Sequence, residues 1–188
     1  MATEHINNDV EKVLLSEEEI ENIVTRLSEE ITRDYKNSKN HLVLVCILKG
    51  SILFFSDLIR KIDLPAQIEC MKVSSYGAGS VSSGNVNIIL DFNREDIADC
   101  DLLVIEDIVD SGNTLHKLTK YLKDKGAASV KTCTLLDKPE RRVVDYTPDY
   151  VGTVIPDEFV IGYGLDYAEA YRTLPYIGVL KRAFIRNN

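Results

Sequence analysis

The chain has 188 residues and a formal net charge of -8 at neutral pH, with 45% hydrophobic and 28% charged residues. This composition is typical of one soluble globular domain, residues 1–188, which can bury a core without disulfide bonds. The acidic balance disfavours nucleic-acid binding, and the longest apolar runs fall short of the ~18 residues of a membrane span, so we expect a cytoplasmic protein with no membrane partner.

The first predicted elements are a capped helix and a buried strand. Ser16 and Glu19 have the spacing of a capping box, and apolar residues recur after them at helical spacing until about residues 36–40. Leu42–Leu48 is a continuous apolar run, typical of a strand buried on both faces of a parallel sheet. Because Lys49 follows this strand directly, at a turn into a second helix, we expect it to face the ligand-binding edge of the sheet.

A segment rich in serine and glycine, at about residues 74–86, follows a third predicted strand at Gln67–Val73. No apolar periodicity orders this segment. It is either a plain hairpin linker or a lid that excludes water during a reaction. We favour a lid, because long loops in compact domains are usually functional or disordered.

The most informative stretch runs from Leu102 to Thr114, LLVIEDIVDSGNT. An apolar strand is predicted to end before Glu106 and Asp107, and a helix is predicted from about Asn113 to a stop at Gly126. Ligands bind at the carboxyl ends of strands in open α/β sheets, and helix N-termini attract anions. The pattern therefore predicts a site for a phosphorylated sugar.

A candidate phosphate loop lies between this strand and its helix, and consists of Ser111, Gly112, Asn113 and Thr114. Gly112 allows close backbone approach, and the hydroxyl groups can donate hydrogen bonds. The alternative is a plain strand, turn and helix with its acids in solvent, but the complete string favours a ligand site. Two other phosphate signatures, GxxxxGK[ST] and GxGxxG after a strand, are absent from the sequence.

The remaining strand candidates are Val130–Leu136, Tyr150–Ile155 and Phe159–Ile161, and a polar loop follows at Asp166–Arg172. Alternation of strands and helices predicts an α/β fold with a mostly parallel central sheet flanked by helices. The four cysteines and three histidines show no metal-ligand or triad spacing, so covalent catalysis has little support.

The stretch from Leu102 to Thr114 resembles the phosphoribosyl pyrophosphate (PRPP) signature of type I phosphoribosyltransferases. The segment PDEFVIGYGLDY, residues 156–167, resembles the purine-specific segment of the hypoxanthine-guanine branch, and the similarity spans about Val13 to Val179. This resemblance implies transfer of a 5-phosphoribosyl group from PRPP to hypoxanthine, or also guanine, in purine salvage, with Mg2+. IMP or GMP and pyrophosphate would be the products.

The same resemblance implies further structural features. A small hood, built from the N-terminal helix and parts of the C-terminal region, is expected over the ligand edge. Ser74 and Tyr76 match positions in a flexible loop that closes over the family's site. The Lys49-Gly50 pair matches a position where an unusual cis peptide is expected, and family members often form dimers or tetramers.

The resemblance also implies roles for individual residues. Asp110 is expected to exchange a proton with purine N7, although a helix N-cap is its structural alternative. Lys138 is expected to donate to the purine 6-oxo group, Phe159 to stack on the base and the Val160 backbone to bind its edge. Asn113 stands where some relatives carry lysine, so phosphate binding here relies more on backbone donors.

Two more sets of residues complete the implied site. Glu106 and Asp107 would hold the ribose hydroxyls, directly or through Mg2+, and Asp166 matches a second metal ligand. The pyrophosphate would be bound by Lys49, Gly50 and Arg172, whose alternative is a solvated position on loops.

Two rival functions stay open on sequence grounds. One is a regulator that keeps the fold, senses nucleotides and binds RNA, which the net charge of -8 disfavours. The other is a transferase for xanthine or a pyrimidine. The Lys138 and Phe159 segment argues against pyrimidines but separates xanthine poorly.

Overall fold

The structure is a computed structural model that describes residues 8–74 and 87–185, apart from the side chain of Ser74. The expected lid, including Tyr76, lies outside these ranges except for the Ser74 backbone, which ends a strand. The helices are α1 (Glu17–Tyr35), α2 (Ile52–Ile59) and α3 (Asn113–Asp124). The strands are β1 (Val10–Leu15), β2 (His41–Leu48), β3 (Gln67–Ser74), β4 (Asn87–Leu90), β5 (Cys100–Val109), β6 (Ser129–Asp137), β7 (Tyr150–Val154), β8 (Val160–Ile161) and β9 (Ile177–Leu180).

A six-stranded sheet with the order β4-β3-β2-β5-β6-β7 forms the main layer. Its neighbours pair in parallel except β3 and β4, which pair antiparallel, so the expected mostly parallel α/β fold is confirmed. Leu103 and Ile105 of β5 pack in the cluster that contains α1 and α2, whereas Leu102 and Val104 pack in the cluster that contains α3. The continuous apolar run arises because both faces of this strand are covered by helices.

Both long helices of the sequence prediction are confirmed. Ser16 caps α1, where its hydroxyl accepts from the Glu19 backbone and the Glu19 side chain accepts from the Ser16 backbone. Gly126, at φ +98°, follows the end of α3 as the expected stop. In the described ranges, no helix has the length and apolar character that a membrane span requires.

A second, three-stranded sheet with the order β1-β9-β8 adds a strand from near the N-terminus to the expected hood. The added strand is β1, which pairs antiparallel with β9. The apolar face of α1, with Ile20, Val24 and Leu27, is buried in the same core cluster as residues of β8 and β9. These residues are Val160, Ile177 and Val179.

The central strand β5 continues to Val109, whereas the sequence predicted that it ends before Glu106. Its pairing with β6 persists at Glu106, opposite Thr134, and at Val109, opposite Asp137. Glu106 and Asp107 therefore lie within the paired part of β5 rather than after it. Asp110 is the first residue beyond the paired part.

Candidate active site

Glu106 and Asp107 are half-buried near the carboxyl end of β5. The backbone N–H of Ile108 donates to Asp107 Oδ1 over 2.8 Å, and that of Asp107 donates to Glu106 Oε1 over 3.3 Å. Burial raises the pKa of both carboxyl groups, and for Glu106 the neighbouring Asp107 charge raises it further. Such a pair favours the approach of positive charge or of hydroxyl donors.

The turn after β2 lies directly against these acids. A Cβ atom at Gly50 would fall 1.7 Å from Asp107 Oδ2, and one at Gly164 would fall 2.0 Å from the Gly50 carbonyl oxygen. Only glycine permits this approach of two backbones and a carboxylate. The cis peptide joins Leu48 to Lys49, so the expected position at Lys49-Gly50 was wrong by one residue: the cis bond lies where the paired strand meets the turn.

The expected pyrophosphate cations, Lys49 and Arg172, share one acidic partner. Lys49 Nζ lies 2.9 Å from Glu169 Oε2, and Arg172 Nη2 lies 3.4 Å from the same oxygen. The hydrogen bond from Lys49 lowers the pKa of Glu169. Sequence reasoning missed Glu169, for which the only signal was its place in the polar loop at Asp166–Arg172.

The Asp166 carboxylate binds two residues of the same loop. Arg172 Nη2 lies 2.8 Å from Asp166 Oδ1, and the Glu169 backbone N–H donates to Asp166 Oδ2 over 2.8 Å. Within the described ranges, no group of three or more histidine, cysteine, aspartate or glutamate residues is arranged to hold a metal ion. The structure thus brings Glu106 and Asp107 together but does not join Asp166 to them as a third ligand.

The candidate phosphate loop lies at the start of α3. Gly112 is the N-cap residue at φ +80°, a conformation that favours glycine, and the helix begins at Asn113. Ser111 Oγ accepts from the Asn113 backbone N–H over 3.3 Å. The alternative role of Asp110 as N-cap is wrong, because the cap falls two residues later.

The expected base-binding residues come from two different elements. Lys138 directly follows β6, is buried, and places Nζ 3.5 Å from Asp110 Oδ1. Phe159 is exposed and makes an edge-to-face contact with Tyr167 at 5.4 Å between ring centroids. Val160 begins β8 and pairs with Val179. An exposed aromatic ring and a buried ammonium group are therefore both present in the described structure.

Arg142 is a further residue that sequence reasoning missed. Its Nη1 donates to the Asp110 carbonyl oxygen over 2.7 Å, and its Nη2 forms an ion pair with Asp137 Oδ1. In the sequence, Arg141 and Arg142 are two adjacent basic residues in a turn. The pattern does not indicate which of them contacts the site.

Comparison with known proteins adds independent findings. The family model described as the phosphoribosyl transferase domain matches residues 12–168. The hypoxanthine phosphoribosyltransferase of Buchnera aphidicola is 52% identical over 167 residues, which cover 89% of this chain and 94% of that protein. The hypoxanthine-guanine phosphoribosyltransferase of Staphylococcus aureus is 51% identical over 176 residues, which cover 94% and 97%.

A solved structure shows the same similarity in three dimensions. The crystal structure of a hypoxanthine phosphoribosyltransferase from Staphylococcus aureus superimposes with a TM-score of 0.90 at 49% identity. The superposition covers 97% of each chain.

Proposed function

The chain belongs to the phosphoribosyl transferase family, and on that premise we propose that it transfers the 5-phosphoribosyl group from PRPP to hypoxanthine. The products are IMP and pyrophosphate, and the reaction serves purine salvage. A relative named for both hypoxanthine and guanine supports guanine as a second acceptor, with GMP as its product. The observation that carries this proposal is the acidic pair of β5 followed within a few residues by a helix N-terminus.

The ribose 5-phosphate is proposed to lie along the end of β5 and the start of α3. Backbone N–H groups of the loop at residues 111–114 and the dipole of α3 attract the 5'-phosphate. Glu106 and Asp107 accept hydrogen bonds from the 2'- and 3'-hydroxyl groups. Burial raises the pKa of both carboxyl groups, and the Asp107 charge raises that of Glu106 further, so the ionised pair favours a bound cation or hydroxyl donors.

Mg2+ fits this acidic pair. The ion is usually held by one or two carboxylates together with substrate phosphates and water, so a dedicated cage of three protein ligands is not needed. Glu106 and Asp107 would hold it, and Asp166 is a further candidate whose carboxylate pairs with Arg172 in the free protein. When bound, the ion would neutralise charge on the pyrophosphate.

Lys49, Gly50 and Arg172 are proposed to bind the pyrophosphate. Negative charge grows on its oxygen as the bond to C1 breaks, and Lys49 and Arg172 supply positive charge where that happens. The Gly50 backbone contributes because no side chain blocks its approach to the acidic pair.

Asp110, Lys138, Phe159 and Val160 are proposed to bind and activate the base. Purine N9 forms the new bond to C1, the pyrophosphate leaves with the electron pair of the old bond, and Asp110 takes the proton from N7. Lys138 donates to the 6-oxo group. Its Nζ lies 3.5 Å from Asp110 Oδ1, so the two side chains are close enough to bind neighbouring atoms of one purine. Phe159 stacks on the base, and the Val160 backbone binds its edge.

Other features remain predictions from the sequence and the family. They are a single domain over residues 1–188, a lid at about residues 74–86 with Ser74 and Tyr76, a homo-oligomeric state and a cytoplasmic location. We expect no nucleic-acid partner.

The proposed function is tested by an assay with PRPP, Mg2+ and a panel of hypoxanthine, guanine, xanthine, adenine and uracil, following pyrophosphate release. Release should depend on hypoxanthine, and guanine should be the next most active acceptor. A reaction without added base controls for PRPP hydrolysis. Release that depends on uracil, or on none of the bases, would contradict the proposal.

A further inference from the structure

Arg142 connects the carboxyl ends of β5 and β6, which are followed by the proposed base-binding residues Asp110 and Lys138. It donates to the Asp110 carbonyl oxygen over 2.7 Å and pairs with the Asp137 carboxylate. We infer that Arg142 and Asp137 are positioning residues that hold Asp110 and Lys138 in register with the phosphate loop of residues 111–114. The inference rests on the proposed function, because it concerns the geometry of the same site.

The backbone hydrogen bonds of the sheet ladder reach Lys138 but not Asp110. The pairing of β5 with β6 ends at Val109 opposite Asp137, and the last backbone hydrogen bond runs from the Lys138 N–H to the Val109 carbonyl over 2.9 Å. Asp110 lies beyond this point. Arg142 extends the link by one step, since its guanidinium group binds a carbonyl from the β5 side and a carboxylate from the β6 side.

The same segment supports the phosphate loop from behind. A Cβ atom at Gly112 would lie 2.8 Å from Arg142 Cδ, so the loop backbone rests on the arginine stem. The Val143 backbone N–H donates to the Ser111 carbonyl over 3.1 Å. Movement of Arg142 would therefore disturb the phosphate loop and Asp110 together.

The environment of this pair gives the contacts their strength. The side chains of Arg142 and Asp137 are only 14% and 10% exposed, so water screens their attraction weakly. Removing one member leaves the other charge buried without compensation. Arg142 acts through the Asp110 backbone and Asp137, which makes it a positioning residue rather than a catalytic one.

The neighbouring residue offers a matched control. Arg141 also pairs with an aspartate, but Arg141 and Asp157 are 52% and 50% exposed and 3.3 Å apart. Surface pairs of this kind contribute little. Arg141→Gln and Arg142→Gln therefore make the same chemical change at adjacent positions, one of which contacts the site.

The test measures kcat and KM for PRPP and hypoxanthine in the full chain, with Arg142→Gln, Arg142→Lys, Asp137→Asn and Arg141→Gln. We expect Arg142→Gln to lower kcat/KM for both substrates by roughly 10²-fold, the cost of a misplacement of about 1 Å. Arg142→Lys should recover part of this loss, since it keeps the charge but lacks the fork. The double variant Arg142→Gln/Asp137→Asn should lose much less than the two single losses combined.

Two further readouts separate positioning from general stability. Millimolar guanidinium should restore activity to Arg142→Ala but not to Asp110→Asn, and thermal melting should report any loss of fold. The inference is overturned if Arg142→Gln and Arg141→Gln have equal kinetics, or if only the melting temperature falls. Should Arg142→Gln not fold, Arg142→Lys and Asp137→Asn decide by the same criteria. A wild-type chain without PRPP-dependent transfer would instead refute the proposed function.

Discussion

The two proposed anion-binding corners of the site hold their cationic side chains differently. At the phosphate loop, Arg142 and Asp137 are almost buried, at 14% and 10% exposure. At the pyrophosphate corner, Lys49 and its partner Glu169 are 52% and 65% exposed. Breaking a buried pair typically costs about 3–5 kcal/mol, whereas an exposed pair contributes about 0–1 kcal/mol. We therefore expect the phosphate corner to be preorganised, and Lys49 at the pyrophosphate corner to exchange Glu169 for its ligand.

Asp110→Asn should have the largest effect on catalysis, because it removes the proton acceptor and leaves the phosphate corner in place. We expect kcat to fall by roughly 10²-fold to 10⁴-fold. PRPP binding, measured by calorimetry with Mg2+, should survive. Unchanged turnover would remove Asp110 from its role, and loss of PRPP binding would mean that the two functions are not separable.

Gly50→Ala tests whether the backbone is the rigid part of the pyrophosphate corner. A Cβ atom there would lie 1.7 Å from Asp107 Oδ2, so the turn or the acid must move. We expect kcat/KM for PRPP to fall by roughly 10²-fold. Gly126→Ala is the control, since its Cβ has open space but its φ of +98° is strained, and it should lower stability without changing kcat. Similar kinetics in both variants would contradict the close packing at Gly50.

Glu106→Gln tests the charge that the acidic pair carries in the free protein. The raised pKa of Glu106 means that its ionised form destabilises the fold, so glutamine should add about 1 kcal/mol, or roughly 2–4 °C in Tm. This gain should be fully present at pH values above the raised pKa, where wild-type Glu106 is ionised in the folded protein. It should shrink as the pH falls below the raised pKa and vanish below the ordinary pKa of a glutamate, where the group is neutral in both the folded and the unfolded chain.

Differential scanning calorimetry across pH measures this gain. Exposed Glu29 on α1 supplies the control substitution Glu29→Gln, which should show no pH-dependent gain of this kind. A Tm of Glu106→Gln that stays below that of the wild type as the pH is raised would contradict the unfavourable charge at this position.

Glu169→Gln should have the smallest effect and the opposite sign. Glu169 pairs with both cations of the pyrophosphate corner, Lys49 and Arg172. Removing its charge should therefore lower the KM for PRPP, by up to about fivefold for exposed ion pairs of this strength. Glu21→Gln is the control, because Glu21 forms a similarly exposed pair with Lys61. A raised KM in Glu169→Gln would mean that Glu169 supports the cations rather than competes for them.

The sequence predicted elements whose own residues carry the pattern, and it missed those that depend on partners elsewhere in the chain. Because both faces of β5 are covered, its sequence is a continuous apolar run. The sequence of α1 contains both its N-terminal cap and the apolar residues of its buried face. β1 and β4 are mostly exposed or half-buried, so they show little apolar alternation and owe their existence to pairing with β9 and β3.

The candidate site shows the same division. The acidic pair and the proposed phosphate loop both lie within residues 106–114, at the end of β5 and the start of α3, so a local motif was enough to propose them. Arg142 and Glu169 gain their importance from contacts with Asp110, Asp137 and Lys49, which adjacent charged residues in a turn do not reveal.

A crystal structure of the protein with IMP tests most directly whether residues 106–114 bind ribose 5-phosphate. The 5'-phosphate should accept hydrogen bonds from the backbone of residues 111–114, with the ribose hydroxyl groups at Glu106 and Asp107 and the purine between Phe159 and Lys138. A nucleotide bound elsewhere, with this edge of β5 left free of ligand, would contradict the proposed site.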